Sequence, residues 1–426
     1  MKHAYLNFIL TIYLASCSTE DPIKKTSVIE SINPSSGKYN TEVTITGSNF
    51  DPSAKTFIVT FNGVQSEIIS ANEKQIIVKV PKGAKTGKVA LETTLGITEG
   101  PEFEYVYTIT VSTIAGSTQG FEDGAATSAK FDSPVAAVID PNGNILVADR
   151  FNHRIRKISP AGQVSTFAGT GVRGSLDGDL NTAQLSGPNY MVYDSEGNLY
   201  VSELTRIRKI TPSGQVSVFA GGSTQGFADG TGIDARFNNP TGMAFSSKGD
   251  LIVMDRDNNR IRRISSGGIV STFIGDGTAA SIDGTGTSAQ INGPWGVAID
   301  KLDNLYVTEF AGFKIRKVNS AGQVTTISGT TAGFQDGEVS IALFNQVYGI
   351  SLDNESNLYI ADGRHRIRKI SNFNMVTTLA GNGLPGFADG DESVARFNLP
   401  YSVTIQGNHL IVADRLNFKI RKLLME

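Results

Sequence analysis

The chain has 426 residues, 46 of them glycine, and a formal net charge of −3 at pH 7. That length exceeds one ordinary hydrophobic core, so two or more domains are expected, and strand-like runs rich in Val, Ile, Thr, Phe and Tyr point to an all-β protein. The slightly acidic balance excludes nucleic acid and anionic membrane surfaces as main partners.

Residues 1–17, MKHAYLNFILTIYLASC, place Lys2 before an apolar stretch (4–15) too short to span a bilayer as a mature helix. This is the pattern of a cleaved export signal. Its last four residues, LASC, resemble the lipobox of bacterial lipoproteins, which implies that Cys17 becomes the first mature residue and carries the lipid. Cys17 is the only cysteine of the chain, so an exported form has no internal disulfide and the thiol needs another use. The alternative is a plain secretory signal in which Cys17 is incidental. Glu20 and Asp21 resemble the surface-export tag of Bacteroidetes lipoproteins. No later apolar run approaches the length of a membrane span. The expectation is therefore an outer-membrane lipoprotein, periplasmic or surface-facing, held by its lipid only. Residues 18–27 read as a polar linker.

Residues 28–107 contain short alternating strands, EVTITG, FIVTFNG and QIIVKVP, separated by Gly, Pro and Asn turns. That spacing predicts a small β-sandwich. The segments INPSSG, VTITGSNF, VTFNG and VKVPKGAKTGKVAL resemble the IPT/TIG family, an immunoglobulin-like fold, over essentially the whole stretch. The stretch offers no sign of a pocket and no cluster of ionisable residues, so it reads as a spacer, with protein binding as the alternative.

Residues 108–426 are repetitive. ILVADRFNHRIRKI returns five times in variant form, its acid falling at Asp149, Glu203, Asp255, Glu309, Asp362 and Asp414, a period of about 53 residues. Each unit also holds a VSTFAG-like strand, a GFxDG…ARFxxP loop and a strand such as WGVAID. Four strands per unit predict a propeller blade, and six units predict six blades. VSTIAG at 111–116 precedes the first full unit, while the last unit lacks its own copy. The N-terminal strand is thus expected to complete the sixth blade and close the ring. The repeat resembles the NHL repeat, a resemblance that implies a propeller and leaves the activity open.

Within a blade, tight turns such as DPNGN and SPAGQ lie on one face, and the long loops emerge on the other. Long loops in a compact repeat favour binding, so that face is the expected ligand site. Six-fold symmetry then separates roles, because few ligands are six-fold. Asp123, Asp177, Asp229, Asp283, Asp336 and Asp389 occur in every blade and read as caps of their loops, with a neighbouring Ala and Phe plugging the loop between blades. A calcium loop would need several acids close together. The strand acids are each followed by Arg154, Arg206, Arg260, Lys314, Arg366 or Lys419, which predicts a repeated cross-strand ion pair.

Departures from the repeat point to function. The first position of the inner strand reads Val135, Asn189, Thr241, Trp295, Tyr348 and Tyr401. Blades four to six thus bring Trp295, Tyr348 and Tyr401 to the channel mouth, where aromatic rings with polar tips suit a carbohydrate. Asn189 shares that ring, and Asn292, Asn345 and Asn398 lie close by as hydrogen-bonding partners for hydroxyls. Aromatics plugging a narrow channel are the competing reading. His153, His365 and His409 are spread around the ring and on both faces, which opposes a shared metal and weakens a likeness to propeller lyases. Lactonase-like propellers hold a channel calcium with Glu, Asn and Asp, of which only Asn189 has a counterpart. No nucleophile elbow or phosphate loop occurs. The expectation is a non-catalytic binder of a glycan or protein, with no cofactor, no metal and no nucleic acid; a scaffold in an outer-membrane complex and a lyase or hydrolase with a channel ion are the alternatives.

Overall fold

The computed structural model describes residues 25–372 and 374–426, so the expected export signal and Cys17 lie outside the described residues. The chain divides into two compact units between Tyr107 and Thr108.

The first unit is a β-sandwich. One sheet orders Val28–Asn33, Glu42–Ser48, Gln75–Lys79 and Glu67–Ala71; the other orders Ser36–Gly37, Gly96–Tyr105, Gly87–Thr93, Phe57–Phe61 and Val64–Gln65. Alternation along Glu42–Ser48 turns Val43 and Ile45 inward, both fully buried. Facing strands contribute Phe61 and Phe103, whose rings meet edge to face at 4.9 Å.

The second unit consists of six five-stranded sheets, the blades of a propeller. In blade one the order from the channel outward is Pro134–Ile139, Ile145–Asp149, Arg154–Ile158, Gln163–Ala168 and the two-residue edge Gly124–Ala125. Four strands per blade are expected from the repeat; the fifth comes from the long loop, which pairs with the outer strand before turning inward. In the first tight turn, Asp140 Oδ1 accepts from the N–H groups of Asn142 and Asn144 while Gly143 supplies the positive φ of +79°. The ring closes as the repeat predicts. Ile109–Ala115 pairs antiparallel with Lys419–Met425 as the fourth strand of blade six. Ala129 and Phe131 from a long loop pack with Ala137 and Val147 of blade one and Ile411 and Ala413 of blade six, so these loop residues do fill the seam between blades.

The six-fold acids are structural, but they act through residues other than those expected. Asp149 lies opposite Arg154 in the backbone register, yet its ion pair runs to Arg156, two rungs deeper on the same face. Both Asp149 and Arg156 are fully buried, and a buried carboxylate needs a counterion at its own depth. Arg154 instead donates to the carbonyls of Asn152 and Thr170 and stacks on Phe121 at 3.9 Å. The loop acid takes the other side of the same guanidinium: Asp123 Oδ1 is 2.5 Å from Arg156 Nη2, while its Oδ2 accepts the Thr166 N–H. Asp123 is thus less a cap of its own loop than a clasp joining loop, third strand and fourth strand. The same arrangement recurs at Arg208, Arg262, Arg316, Arg368 and Arg421, all fully buried.

Two blades vary the clasp. Where blades one, three, five and six place Phe before the loop acid and Asp on the strand, blades two and four place Ser175 and Ser281 with Glu203 and Glu309. The longer acid reaches into the space the ring would fill, and Ser281 Oγ donates to the Glu309 carboxylate. Burial pushes Asp149 and Asp414 up to about 6 and Glu203 up to about 7. Glu203 makes the loosest of the six pairs: Arg208 stands 3.6 Å away and the Glu203 Oε2 has no hydrogen-bond partner among the described residues.

His153 and His365 also tie blades together. Each occupies a left-handed position after the second strand, and its Nδ1 accepts an N–H from the next blade, Gly187 at 3.2 Å and Leu399 at 3.0 Å. Asn259 does the same in blade three, with Oδ1 accepting from Gly293. Burial, then adjacent arginines, hold both imidazoles below the ordinary value of 6.5. A folded-state pKa below the unfolded one means their contribution to stability is complete above pH 6.5 and is lost as pH falls through the folded value. The double variant His153→Asn/His365→Asn should therefore lose less Tm than the parent between pH 7 and pH 5. Equal losses in the two proteins, measured by thermal melts across that range, would remove the imidazoles from the account.

Candidate ligand-binding site

The channel mouth on the long-loop face is built from two positions per blade: the residue after the first residue of the inner strand, and the residue after the strand acid. The first set is buried throughout, with Trp295 at 4 %, Tyr348 at 3 % and Tyr401 at 9 % exposure. These three rings do meet. Tyr348 and Tyr401 stack at 4.3 Å, and Trp295 stands edge-on to both at 5.1 and 5.2 Å. Phe310, which follows Glu309, joins them at 5.4 Å from both Trp295 and Tyr348.

Close backbone approach makes this packing feasible. A Cβ on Gly296 would lie 2.7 Å from the Tyr348 carbonyl, and one on Gly363 would lie 2.9 Å from Tyr348 Cε2. The inner strands of blades four and five therefore touch directly, and blade five leaves room for its own tyrosine. Of the two roles open from the sequence, ligand platform or channel plug, the packing favours a plug. Faces that a sugar ring would stack on are covered by neighbouring rings and guanidinium groups.

The asparagines do not converge on the aromatics. Asn189 Nδ2 donates to the Pro240 carbonyl at 3.2 Å, which ties blade two to blade three. Asn345 Oδ1 accepts from the Gln346 N–H. Asn398 donates its backbone N–H to Asp414 at 2.7 Å, as Asn238 does to Asp255, and Asn292 makes the same backbone bond to Glu309. These residues shape the turn into the inner strand.

The second set of positions was not singled out from sequence. It reads Arg150, Leu204, Arg256, Phe310, Gly363 and Arg415. Arg256 lies over Trp295 at 4.7 Å and Phe310 at 5.0 Å, and Arg415 over Tyr401 at 4.6 Å. Arg415 Nη1 donates to the Tyr401 hydroxyl at 3.1 Å. Departure from the repeat is the signal that reveals these arginines, applied one strand further along than the aromatics.

Elsewhere, a cleft of about 680 Å³ opens in the sandwich beside Phe50, Asp51 and Leu95, and one of about 400 Å³ lies between the tight turns of blades two and three. Neither gathers groups suited to catalysis. Among the described residues no three His, Cys, Asp or Glu side chains are placed to hold a metal ion.

Comparison with known proteins agrees with this architecture. Residues 27–122 match the IPT/TIG domain, and residues 131–158 and 237–264 match the NHL repeat. NHL repeat-containing protein 2 of Homo sapiens is 29 % identical over 299 residues, covering 60 % of this chain but 41 % of that protein. A protein of unknown function from Bacteroides thetaiotaomicron superposes with a TM-score of 0.62 at 22 % identity, covering 95 % of this chain and 99 % of that one. An auxiliary nutrient binding protein from the same organism gives 0.58 at 19 % identity, covering 94 % and 98 %. The chain is an all-β protein that joins an IPT/TIG immunoglobulin-like domain to a six-bladed NHL-type β-propeller closed by its N-terminal strand.

Proposed function

We propose that this is a non-catalytic binding protein of the cell envelope, lipid-anchored through Cys17, that takes a carbohydrate or other extracellular ligand at the channel mouth of the long-loop face. One observation carries the reading: departures from six-fold symmetry collect at that mouth, where Trp295, Phe310, Tyr348 and Tyr401 form one cluster. The ligand rests on the edges and polar tips of the plug, the Tyr401 hydroxyl and the flanking guanidinium groups, and the sandwich serves as a spacer. The words nutrient binding, attached to a Bacteroides neighbour of like fold, accord with this.

Trp295 is the only tryptophan of the chain and sits in the mouth, so its fluorescence tests the reading without mutation. A glycan-array screen of the mature protein should return ligands that also shift Trp295 emission on titration. Array ligands that leave the emission unchanged would move the site elsewhere. A second reading, a scaffold in an outer-membrane complex, is favoured by the ring of exposed Phe121, Phe227, Phe334 and Phe387 on the same face. It predicts a stoichiometric partner on purification from membranes and no saccharide binding.

A further inference from the structure

The propeller contains two populations of arginine with opposite surroundings. Arg156 and its five equivalents are fully buried, each between two acids. Arg150, Arg256 and Arg415 are half-buried, belong to blades one, three and six, and have one acid among them: Asp257, whose Oδ1 is 3.2 Å from Arg256 Nε. Among the described residues neither Arg150 nor Arg415 has an ion-pair partner.

Their geometry converges on the plug. Arg415 Nε donates to Ser133 Oγ at 2.8 Å, and the Ser133 carbonyl accepts the Arg150 backbone N–H at 3.3 Å, so the two arginines share one buried anchor. The Arg150 stem lies along the start of blade two, where a Cβ on Gly187 would be 3.6 Å from Arg150 Cγ. Burial holds the Arg150 guanidinium below its ordinary range; Arg415 and Arg256 lower it further, while Tyr401 and Asp257 oppose this. Groups from blades one, three and six therefore act on one another across the mouth. Three guanidinium groups brought together with a single acid, Asp257, repel one another and lose hydration, a cost that an anion bound between them relieves. Three arginines on a chain of net charge −3 do not make the extended basic track that a nucleic-acid backbone needs.

We infer that the channel mouth selects an acidic saccharide, a hydroxylated ring bearing a carboxylate or sulfate, whose anion is held by Arg150 and Arg415 while its hydroxyls and apolar edge meet Arg256, Trp295 and Tyr401. This rests on the ligand-binding reading and adds the charge of the ligand. Arg150 is the specificity residue, because among the described residues its guanidinium makes no hydrogen bond or ion pair that binding would have to break.

The test titrates the mature full-length protein with an oligogalacturonate, a sulfated chondroitin disaccharide, a neutral oligogalactoside and inorganic sulfate, reading calorimetry and Trp295 emission. At least one acidic saccharide should bind and shift the emission, the neutral one should bind far more weakly, and affinity should fall with added salt. Arg150→Gln should weaken the acidic ligand by about 10- to 100-fold, while Arg150→Lys retains part of the binding. Unfolding midpoints followed by Trp295 establish that the variants are folded, and Arg256→Gln serves if Arg150→Gln is not. Equal affinity for neutral and acidic saccharides, or an unchanged Kd in the folded glutamine variant, would overturn the charge assignment and leave the ligand-binding reading standing. Inorganic sulfate binding as tightly as the saccharides would reduce the mouth to a simple anion site and overturn the inference. No saccharide binding of any kind removes both.

Discussion

Replacing Arg262 with leucine should lower the stability of the propeller by about 3–5 kcal/mol. Arg262 is fully buried, with Asp255 at 2.7 Å on one side and Asp229 at 2.5 Å on the other, and it also donates to the carbonyls of Arg236 and Ala228. Leucine matches part of the volume but leaves Asp255 charged, buried and without its cation. It also takes one donor from each of two carbonyls, which keep only their mutual backbone bonds, and frees the long loop from the third strand. Urea denaturation followed by Trp295 reports this transition without a signal from the sandwich, because no other tryptophan exists. Arg260→Leu, two rungs nearer the surface, should cost no more than about 1–2 kcal/mol, the scale of a cation–π contact with Phe227 and bonds to the Asn258 and Asp276 carbonyls. A cost at Arg260 equal to that at Arg262 would mean that register, not depth, decides which arginine pairs. Among the acids, Glu203→Gln should be the mildest change, since Glu203 already stands 3.6 Å from Arg208 with one oxygen unpaired.

That pair of arginines also marks where the sequence stops being legible. The period, the tight turns and the missing outer strand of blade six are local signals repeated around the ring, so each copy reinforces the others. Asp149 and Arg154 are likewise read correctly as opposite one another in the hairpin. The ion pair goes to Arg156 because a side chain's partner depends on how far each rung lies below the surface, and both positions are basic in every copy of the run. The loop acids show the same limit. Their six-fold recurrence marks Asp123 and its equivalents as structural, but the guanidinium each one clasps lies more than thirty residues away in the chain.

At the mouth, alignment of the blades places Trp295, Tyr348 and Tyr401 together, and they are together. It does not reveal that glycines at 296 and 349 let the inner strands approach until the rings cover one another. Nor does it rank the second variable position, where Arg150, Arg256 and Arg415 look like more of the same basic composition that fills the RIRKI runs. Burial and partners separate the two populations: Arg156 and its equivalents are fully buried between two acids, whereas Arg150, Arg256 and Arg415 are half-buried at the mouth.

Removing residues 108–116 should do more damage than any single substitution, because it reopens the ring. Ile109–Ala115 supplies the fourth strand of blade six, with Ile109, Val111 and Ala115 buried, and it also carries the two-residue edge at Gly390–Asp391. Loss of Ile109 and Val111 alone forfeits roughly 1.5–3 kcal/mol each. Beyond that, Lys419–Met425 becomes an unpaired edge, and Asp389 loses the Thr113 N–H that it accepts beside Arg421. The truncated protein should unfold at much lower urea, with a broad Trp295 transition, and should associate through the bared edge in sedimentation runs. In blade one the third and fourth strands are joined by Ser159 to Gln163, a turn closed by the Gly162 N–H donating to the Ser159 carbonyl. Blade six lacks that turn only because its fourth strand comes from the other end of the chain. Grafting residues 109–115 behind Met425 through an SPAGQ turn should therefore restore a sharp transition near the parental midpoint. Recovery would show that the strand acts through its pairing in blade six; failure, with the graft present and the ring still unstable, would show that stability depends on the strand's attachment to the sandwich that precedes it.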